Sequence, residues 1–268
     1  MTADEPDWVP PEVDTKRANV ARVYDYWLGG SHNFLADQDV ARAIAAVEPD
    51  VRLFAQANRA FLGRAVRFLA GSGIRQFLDI GSGIPTEGNV HEVAQQAAPG
   101  SRVVYADIDP VAIAHSGAIL AGNQDAAIIN GDLRGPEKIL ANDDTQRLID
   151  FSQPVAVLCL AAMHFIGGSE AGAAVARFRA GLSPGSYLAL SHAHGDPQSR
   201  EYSAGTQAYS STANPITMRS RAEILGFFDG LDLVDPGLVR AQAWRPAPAD
   251  PPDGGQDWIL AAVARAPR

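Results

Sequence analysis

Arg75-Gln76-Phe77-Leu78-Asp79-Ile80-Gly81-Ser82-Gly83, residues 75–83, is the stretch on which the fold turns. Phe77, Leu78 and Ile80 read as a short buried strand, with Asp79 one residue before its end and Gly81 and Gly83 turning the chain at its tip. Val90, Val93, Ala94 and Ala97 then recur at helical spacing. The order is strand, glycine turn, helix. Glycine reaches backbone angles closed to other residues and lets a ligand approach the main chain without meeting a Cβ. A dinucleotide-binding turn carries a third glycine, with the pyrophosphate at the helix N-terminus. Here that position is Thr86, preceded by Pro85, which has no N–H to donate. With a carboxylate before it, the turn suits a ligand with a positive centre and an amino-acid end better than a pyrophosphate.

Outward from the turn, the pattern predicts strands alternating with helices. Three helices come first: from Asp14 or Thr15 through Trp27, stopped by Gly29-Gly30; from Asp37 through Val47; and from Val51 to Ala70, with Leu53, Ala57, Phe61, Ala65 and Phe68 as its stripe. After the turn come strands at 102–107, 127–129, 154–160, 186–191, 231–234 and 258–264, with helices at 110–120, 136–140, 169–182 and 220–228 between them. Residues 235–256 are proline-rich and irregular. Alternation of this kind predicts a mostly parallel sheet of seven strands with helices on both faces. One domain over 1–268 is expected: a loose tail at 1–13, a helical cap at 14–72 and a Rossmann-like core at 73–268.

Composition narrows the function. The 268 residues are 46% hydrophobic, enough for a substantial core, and carry a formal net charge of −9 without blocks of like charge. That balance speaks against a nucleic-acid backbone as partner. The lone cysteine, Cys159, sits in an apolar run and reads as a small core residue suited to a reducing cytoplasm. The longest apolar run, Val155 to Met163, is too short for a bilayer, and no membrane partner is expected.

Three successive strands lead to acids: Asp79, Asp107 and Asp132. In a parallel sheet, ligands bind at the carboxyl ends of strands. A carboxylate can accept from two vicinal ribose hydroxyls, which suits Asp107, and Ile108 can lie flat on adenine. Asp132 can accept from an exocyclic amine while the Leu133 N–H meets a ring nitrogen. Asp79 can hold the loop or balance a cationic ligand. The plain alternative for Asp107 or Asp132 is a helix cap. Together the three resemble motifs I, II and III of the class I S-adenosylmethionine-dependent methyltransferases. Leu182-Ser183-Pro184-Gly185-Ser186-Tyr187 resembles that family's turn into its fifth strand.

Ala21-Arg22-Val23-Tyr24-Asp25-Tyr26-Trp27-Leu28-Gly29-Gly30, with Asn33-Phe34 and Asp37, resembles the N-terminal signature of a bacterial S-adenosyl methyltransferase family of unknown acceptor. So do Asn89-Val90-His91-Glu92-Val93-Ala94-Gln95 and the stretch from Phe227 to Val239. The resemblance spans about residues 14–265. It implies the class I fold and S-adenosylmethionine as cofactor, with S-adenosylhomocysteine as product. The cofactor-binding set it points to is Tyr24, Asp79, Gly81, Ser82, Gly83, Asp107, Ile108, Asp132, Leu133 and Ala161. The acceptor is expected to be a small molecule.

His164, after the fourth strand, is a candidate general base, with an orienting or structural role as the alternative. His192, His194 and Asp196 have the alternation of a metal triad, but no second cluster completes it, and no metal is expected. Tyr24 is a candidate lid over the cofactor, and Trp27 is read as helix packing. The Arg219 and Arg221 pair is expected to face solvent. A nicotinamide oxidoreductase and a cofactor-binding regulatory protein without turnover are the competing readings.

Overall fold

A computed structural model describes residues 9–86, 88–195, 215–248, 250 and 257–267. Helices α1 (Val20–Trp27), α2 (Leu35–Val47) and α3 (Val51–Gly71) precede strand β1 (Gln76–Ile80). Then follow α4 (Val90–Ala97), β2 (Arg102–Asp107), α5 (Pro110–Ile119), β3 (Ala126–Asn130), α6 (Pro136–Leu140) and α7 (Asp143–Leu148). Strand β4 (Ala156–Leu160), a 3-10 turn (Met163–Phe165), α8 (Glu170–Ala180) and β5 (Tyr187–Ala193) come next. The chain closes with α9 (Arg221–Gly226), β6 (Asp232–Leu233), β7 (Val239–Arg240), a second 3-10 turn (Ala241–Ala243) and β8 (Ile259–Arg265).

The sheet runs β3-β2-β1-β4-β5-β8-β6, with β7 also pairing β8, which makes eight strands where seven were expected. The first five strands are mutually parallel; β8 runs antiparallel to β5, β6 and β7. Chain order reverses at β1, where β2 lies on one side and β4 on the other, so the glycine turn stands at the topological switch. β1 and β4 are buried along their whole length, hence their unbroken apolar character. One face of the sheet packs on α3 and α4 through Phe61, Leu69, Phe77 and Val103. The other face packs on α6 to α9 through Leu78, Ile139, Val175 and Ile224.

Helix α3 therefore belongs to the core. α1 and α2 form a smaller cluster of their own, Val23, Trp27, Ala41 and Ile44, that leans on Phe54 and Ala55 of α3. The first helix starts at Val20, not at 14 or 15, because Asn19 is its cap and accepts from the Ala21 N–H at 2.7 Å. Much of the N-terminal signature is structural. Asp25 accepts from the His32 N–H and from Asn33 Nδ2 at 2.9 and 2.8 Å. A Cβ on Gly30 would come within 2.0 Å of the Asp25 carboxylate, so glycine is required there. Buried Arg22 lies 3.4 Å from Asp37 and 3.8 Å from Asp109, tying the cap to the start of α5.

Candidate active site

The carboxyl ends of β1, β2 and β4 open beneath α1 and α3 into a cavity of about 190 Å³. The glycine turn forms its floor. The Gly81 and Ser82 N–H groups both donate to the Ala106 carbonyl, at 2.8 and 3.2 Å, and the Gly83 N–H donates to Asp107 Oδ2 at 2.7 Å. All three point into β2, and none is left to cradle a phosphate. Gly81 has φ +69°, and a Cβ there would stand 2.7 Å from the Ala162 Cβ. Gly83 has φ +67° with open space around its missing Cβ. Between them, the Ser82 hydroxyl is buried and has no partner among the described residues.

Two buried carboxylates flank this floor. Asp107 accepts on Oδ1 from the Ile108 and Asp109 N–H groups at 2.8 and 2.9 Å, besides the Gly83 contact on Oδ2. Three of its roughly four acceptor positions are thus filled by backbone. Burial raises its pKa against those hydrogen bonds. Burial also pushes Asp79 up to about 7, the Arg59 charge opposing and the Asp107 charge adding. Arg59, on α3, lines the same space and donates to Asn89 Oδ1 at 2.7 Å. A pair of buried acids held this way disfavours an anionic ligand and favours one bringing positive charge.

The wall above is held by one run of hydrogen bonds. The Ala161 N–H donates to Ser191 Oγ at 2.8 Å, and Ser191 Oγ donates to Asn58 Oδ1 at 2.5 Å. Asn58 Nδ2 donates to the Tyr24 hydroxyl at 3.1 Å, which donates to the Ala55 carbonyl at 2.9 Å. This run links the tip of β4 to β5, α3 and α1. Ala161 is held with φ +52°, a left-handed conformation unusual for a residue bearing a Cβ. The Tyr24 hydroxyl is committed to Asn58 and Ala55, so α1 is a packed wall of the cavity and not a detached flap.

Behind the 3-10 turn lies a buried cation that sequence placed wrongly. Arg219 does not face solvent: it is 5% exposed and donates to the carbonyls of Met163, Ile166 and Gly168 at 3.3, 2.8 and 3.1 Å. It also donates to His192 Nε2 at 2.8 Å, leaving His192 Nδ1–H for the Ala193 carbonyl at 2.7 Å. Both nitrogens of His192 are engaged, and its pKa falls to about 3 through burial, against its Ala193 hydrogen bond. His194 Nδ1 contacts the Asp257 carbonyl at 2.9 Å, and Asp196 lies outside the described residues. Among the described residues no group of three or more His, Cys, Asp or Glu side chains is arranged to hold a metal.

His164 lines the cavity and is buried. Its Nδ1 accepts the Ala193 N–H at 3.2 Å. A backbone N–H is only a donor, so Nδ1 carries no proton and the neutral ring must carry it on Nε2. Burial, then His192 and Arg219, hold its pKa well below the ordinary value. In this geometry His164 presents a donor, not a base, toward the cavity.

The S-adenosyl methyltransferase family matches residues 6–267. The chain belongs to that family. A candidate methyltransferase from Thermobifida fusca shares 37% identity over 98% of this chain and 100% of its own, with a TM-score of 0.91. A DUF574 family protein from Streptomyces avermitilis shares 39% identity over 95% and 99% of the two chains, with a TM-score of 0.89. An O-methyltransferase family protein from Burkholderia thailandensis, 13% identical over 90% and 66%, has a TM-score of 0.53 and shares the fold alone. No curated protein matches the chain.

The family's cofactor is S-adenosylmethionine, and the site fits it: an orphaned buried hydroxyl at Ser82, open space over Gly83, and acids that favour a cation. Of the residues expected to bind it, Tyr24, Asp79, Gly81, Ser82, Gly83, Asp107, Ile108, Leu133 and Ala161 line one cavity. Asp132 is not among them. Its carboxylate is 41% exposed and forked onto Arg134, with contacts of 2.6 to 3.0 Å, which also hold its pKa down. Sequence reasoning missed Asn58, Arg59 and Ser191. Asn58 interrupts the buried side of α3 and Ser191 ends the apolar run of β5; an uncharged polar residue inside a core run is the signal that marks them.

Proposed function

We propose that this chain moves the methyl group of S-adenosylmethionine to a small-molecule acceptor within the cavity, leaving S-adenosylhomocysteine. The observation that carries this is the continuity of one cavity from the acidic glycine turn to an apolar end walled by α1, α3 and β8. The cofactor, when bound, supplies a methyl group already activated on a sulfonium. The protein's part is to hold, align and exclude water.

Asp107 keeps one acceptor position for a ribose hydroxyl while its other positions fix the turn. Ile108, 41% exposed, offers an apolar face to the adenine. Asp79 and Arg59 provide opposite charges for the amino-acid end. Gly83 leaves room for close approach, and Ser82 gains a partner for its hydroxyl.

A nicotinamide cofactor would bring a pyrophosphate to a turn with no free N–H at Gly81, Ser82 or Gly83 and two buried acids. Calorimetry with S-adenosylmethionine, S-adenosylhomocysteine and a nicotinamide dinucleotide on one preparation tests the reading. Binding of the first two and not the third is expected; tighter binding of the dinucleotide would sink it.

A further inference from the structure

The cavity has a second end that the cofactor set does not use. Phe54 of α3 and Trp258, beside β8, stack with ring centroids 5.7 Å apart at 29°. Trp27, Phe165, Ile216 and Met218 complete the surface. The charged lining residues among those described are Asp79, Arg59 and Asp107 near the turn, and Glu48. Across the cavity an anion faces three carboxylates against one guanidinium, and that guanidinium, Arg59, is at the turn end. A permanent cation must give up its hydration among aromatic and aliphatic side chains. An apolar body, in contrast, is favoured by every side chain of this end.

Besides Glu48, a histidine faces that space. His164 is 5% exposed, its Nδ1 is taken by the Ala193 N–H, and its proton therefore sits on Nε2. Nε2 has no partner among the described residues. Phe165 packs against the ring edge-on at 4.4 Å and His192 of β5 at 5.4 Å, and Arg219 anchors the turn that carries His164 and Phe165, so the imidazole is fixed in orientation. A ligand that fills the cavity expels water from this donor, and one with an acceptor atom there replaces the hydrogen bond that is lost.

We propose that this end is the acceptor seat, and that it takes an uncharged, flat, largely apolar molecule with a lone-pair atom that accepts a hydrogen bond from His164 Nε2–H. The proposal rests on the methyl-transfer reading above and names its substrate class. The seat sorts molecules by charge and by that atom. With no base facing the cavity at His164, the methylated atom is one whose lone pair is free without prior deprotonation by that residue, its proton, if any, leaving to solvent after the carbon–sulfur bond has broken and the new bond has formed.

The test uses four ring systems of one shape: naphthalene, quinoline, 2-naphthoate and 1-methylquinolinium. They are titrated by ligand-observed NMR into full-length protein saturated with S-adenosylhomocysteine, at mildly alkaline pH where quinoline is neutral. Quinoline, which adds one acceptor atom to naphthalene, is expected to bind tightest, the two ions weakest. Trp258→Ala and Phe54→Leu should each weaken quinoline about tenfold while shifting S-adenosylhomocysteine affinity less than about twofold. His164→Gln, which keeps both an acceptor for Ala193 and a donor, should retain the preference for quinoline over naphthalene; His164→Met should erase it. Tightest binding by either ion, no binding of any ring, or indifference to Trp258 and Phe54 would overturn the seat. Failure of S-adenosylhomocysteine to bind at all would instead strike the methyl-transfer reading.

Discussion

The two ends of the cavity are built in opposite ways. The turn end is made by backbone: Gly81, Ser82 and Gly83 are tied into β2 by main-chain N–H groups, and most of its residues lie within two short strand–turn–helix segments. The apolar end is made by side chains from residues 27, 54, 165, 216, 218 and 258, which no local pattern connects. An end built from backbone leaves little room for change. An end built from scattered side chains can be resized by single substitutions without disturbing the sheet. A fixed cofactor and an adjustable partner are what such a division provides.

Substitutions that hit only one end break this comparison or sharpen it. The largest effect is expected at Gly81. A valine there meets the Ala162 Cβ and needs a left-handed φ of +69°, so Gly81→Val should abolish S-adenosylhomocysteine binding and lower Tm. Gly83→Ala, with φ +67° but open space, should retain fold and lose affinity. Calorimetry and thermal melting on both separate packing from approach; normal binding by the valine variant refutes the rigid-turn account.

Next is Asp107→Ala. Losing a charged acceptor should cost on the order of 2–3 kcal/mol of S-adenosylmethionine affinity. Because the same carboxylate holds three backbone N–H groups, Tm should fall too, which a ribose contact alone does not predict. An unchanged Tm would assign the residue to the ligand only.

A smaller effect is a pH slope. Asp79 has a folded-state value of about 7, above its ordinary one, so the folded protein holds this proton more tightly than the unfolded chain. Its contribution favours folding at acid pH and is lost as pH rises from about 4 to about 7. The ionised form is the one that attracts a cation, so S-adenosylmethionine affinity should climb as pH rises through about 7. Asp79→Asn should flatten both slopes and bind more weakly at alkaline pH; an unaltered affinity slope would remove Asp79 from the site.

The mildest expected change is in the wall. Ser191→Ala leaves Asn58 Oδ1 without its donor, while the Ala161 N–H keeps the Ser191 carbonyl at 3.1 Å, a loss of about 1–3 kcal/mol of stability. Amide exchange in residues 23–28 should quicken, since the run ends on Tyr24. Exchange that is indifferent there would mean the wall does not transmit the change.

The same contrast sets what could be read from sequence. β1, its turn and the acids at Asp79 and Asp107 were legible because strand, glycine and carboxylate are adjacent, and periodicity fixed the alternation that makes the sheet parallel. Asp132 misled because Arg134, two residues on, closes a fork that spacing alone does not reveal. Arg219 misled because it follows a polar segment, while its burial depends on the carbonyls of Met163, Ile166 and Gly168, more than 50 residues earlier. The short helix α7 and strand β7 were missed: one is six residues and the other two, below the length at which a period shows. The lid expected at α1 became a wall through Asn58, whose partner Ser191 is 133 residues away.

The position of β8 has a consequence for synthesis. It follows every other strand in sequence yet lies inside the sheet, between β5 and β6. While the chain emerges from its N-terminus, β5 has its free edge bare and β6 has no neighbour in the sheet until β8 arrives. Trp258 and Ile259, at its leading end, also close the apolar end of the cavity. A nascent chain can thus assemble the glycine turn with β1 to β5 in place, but the cavity gains its far wall only afterwards. Chains stalled before Asp257 should expose the β5 edge to a strand-pairing peptide, and the finished, released chain should not.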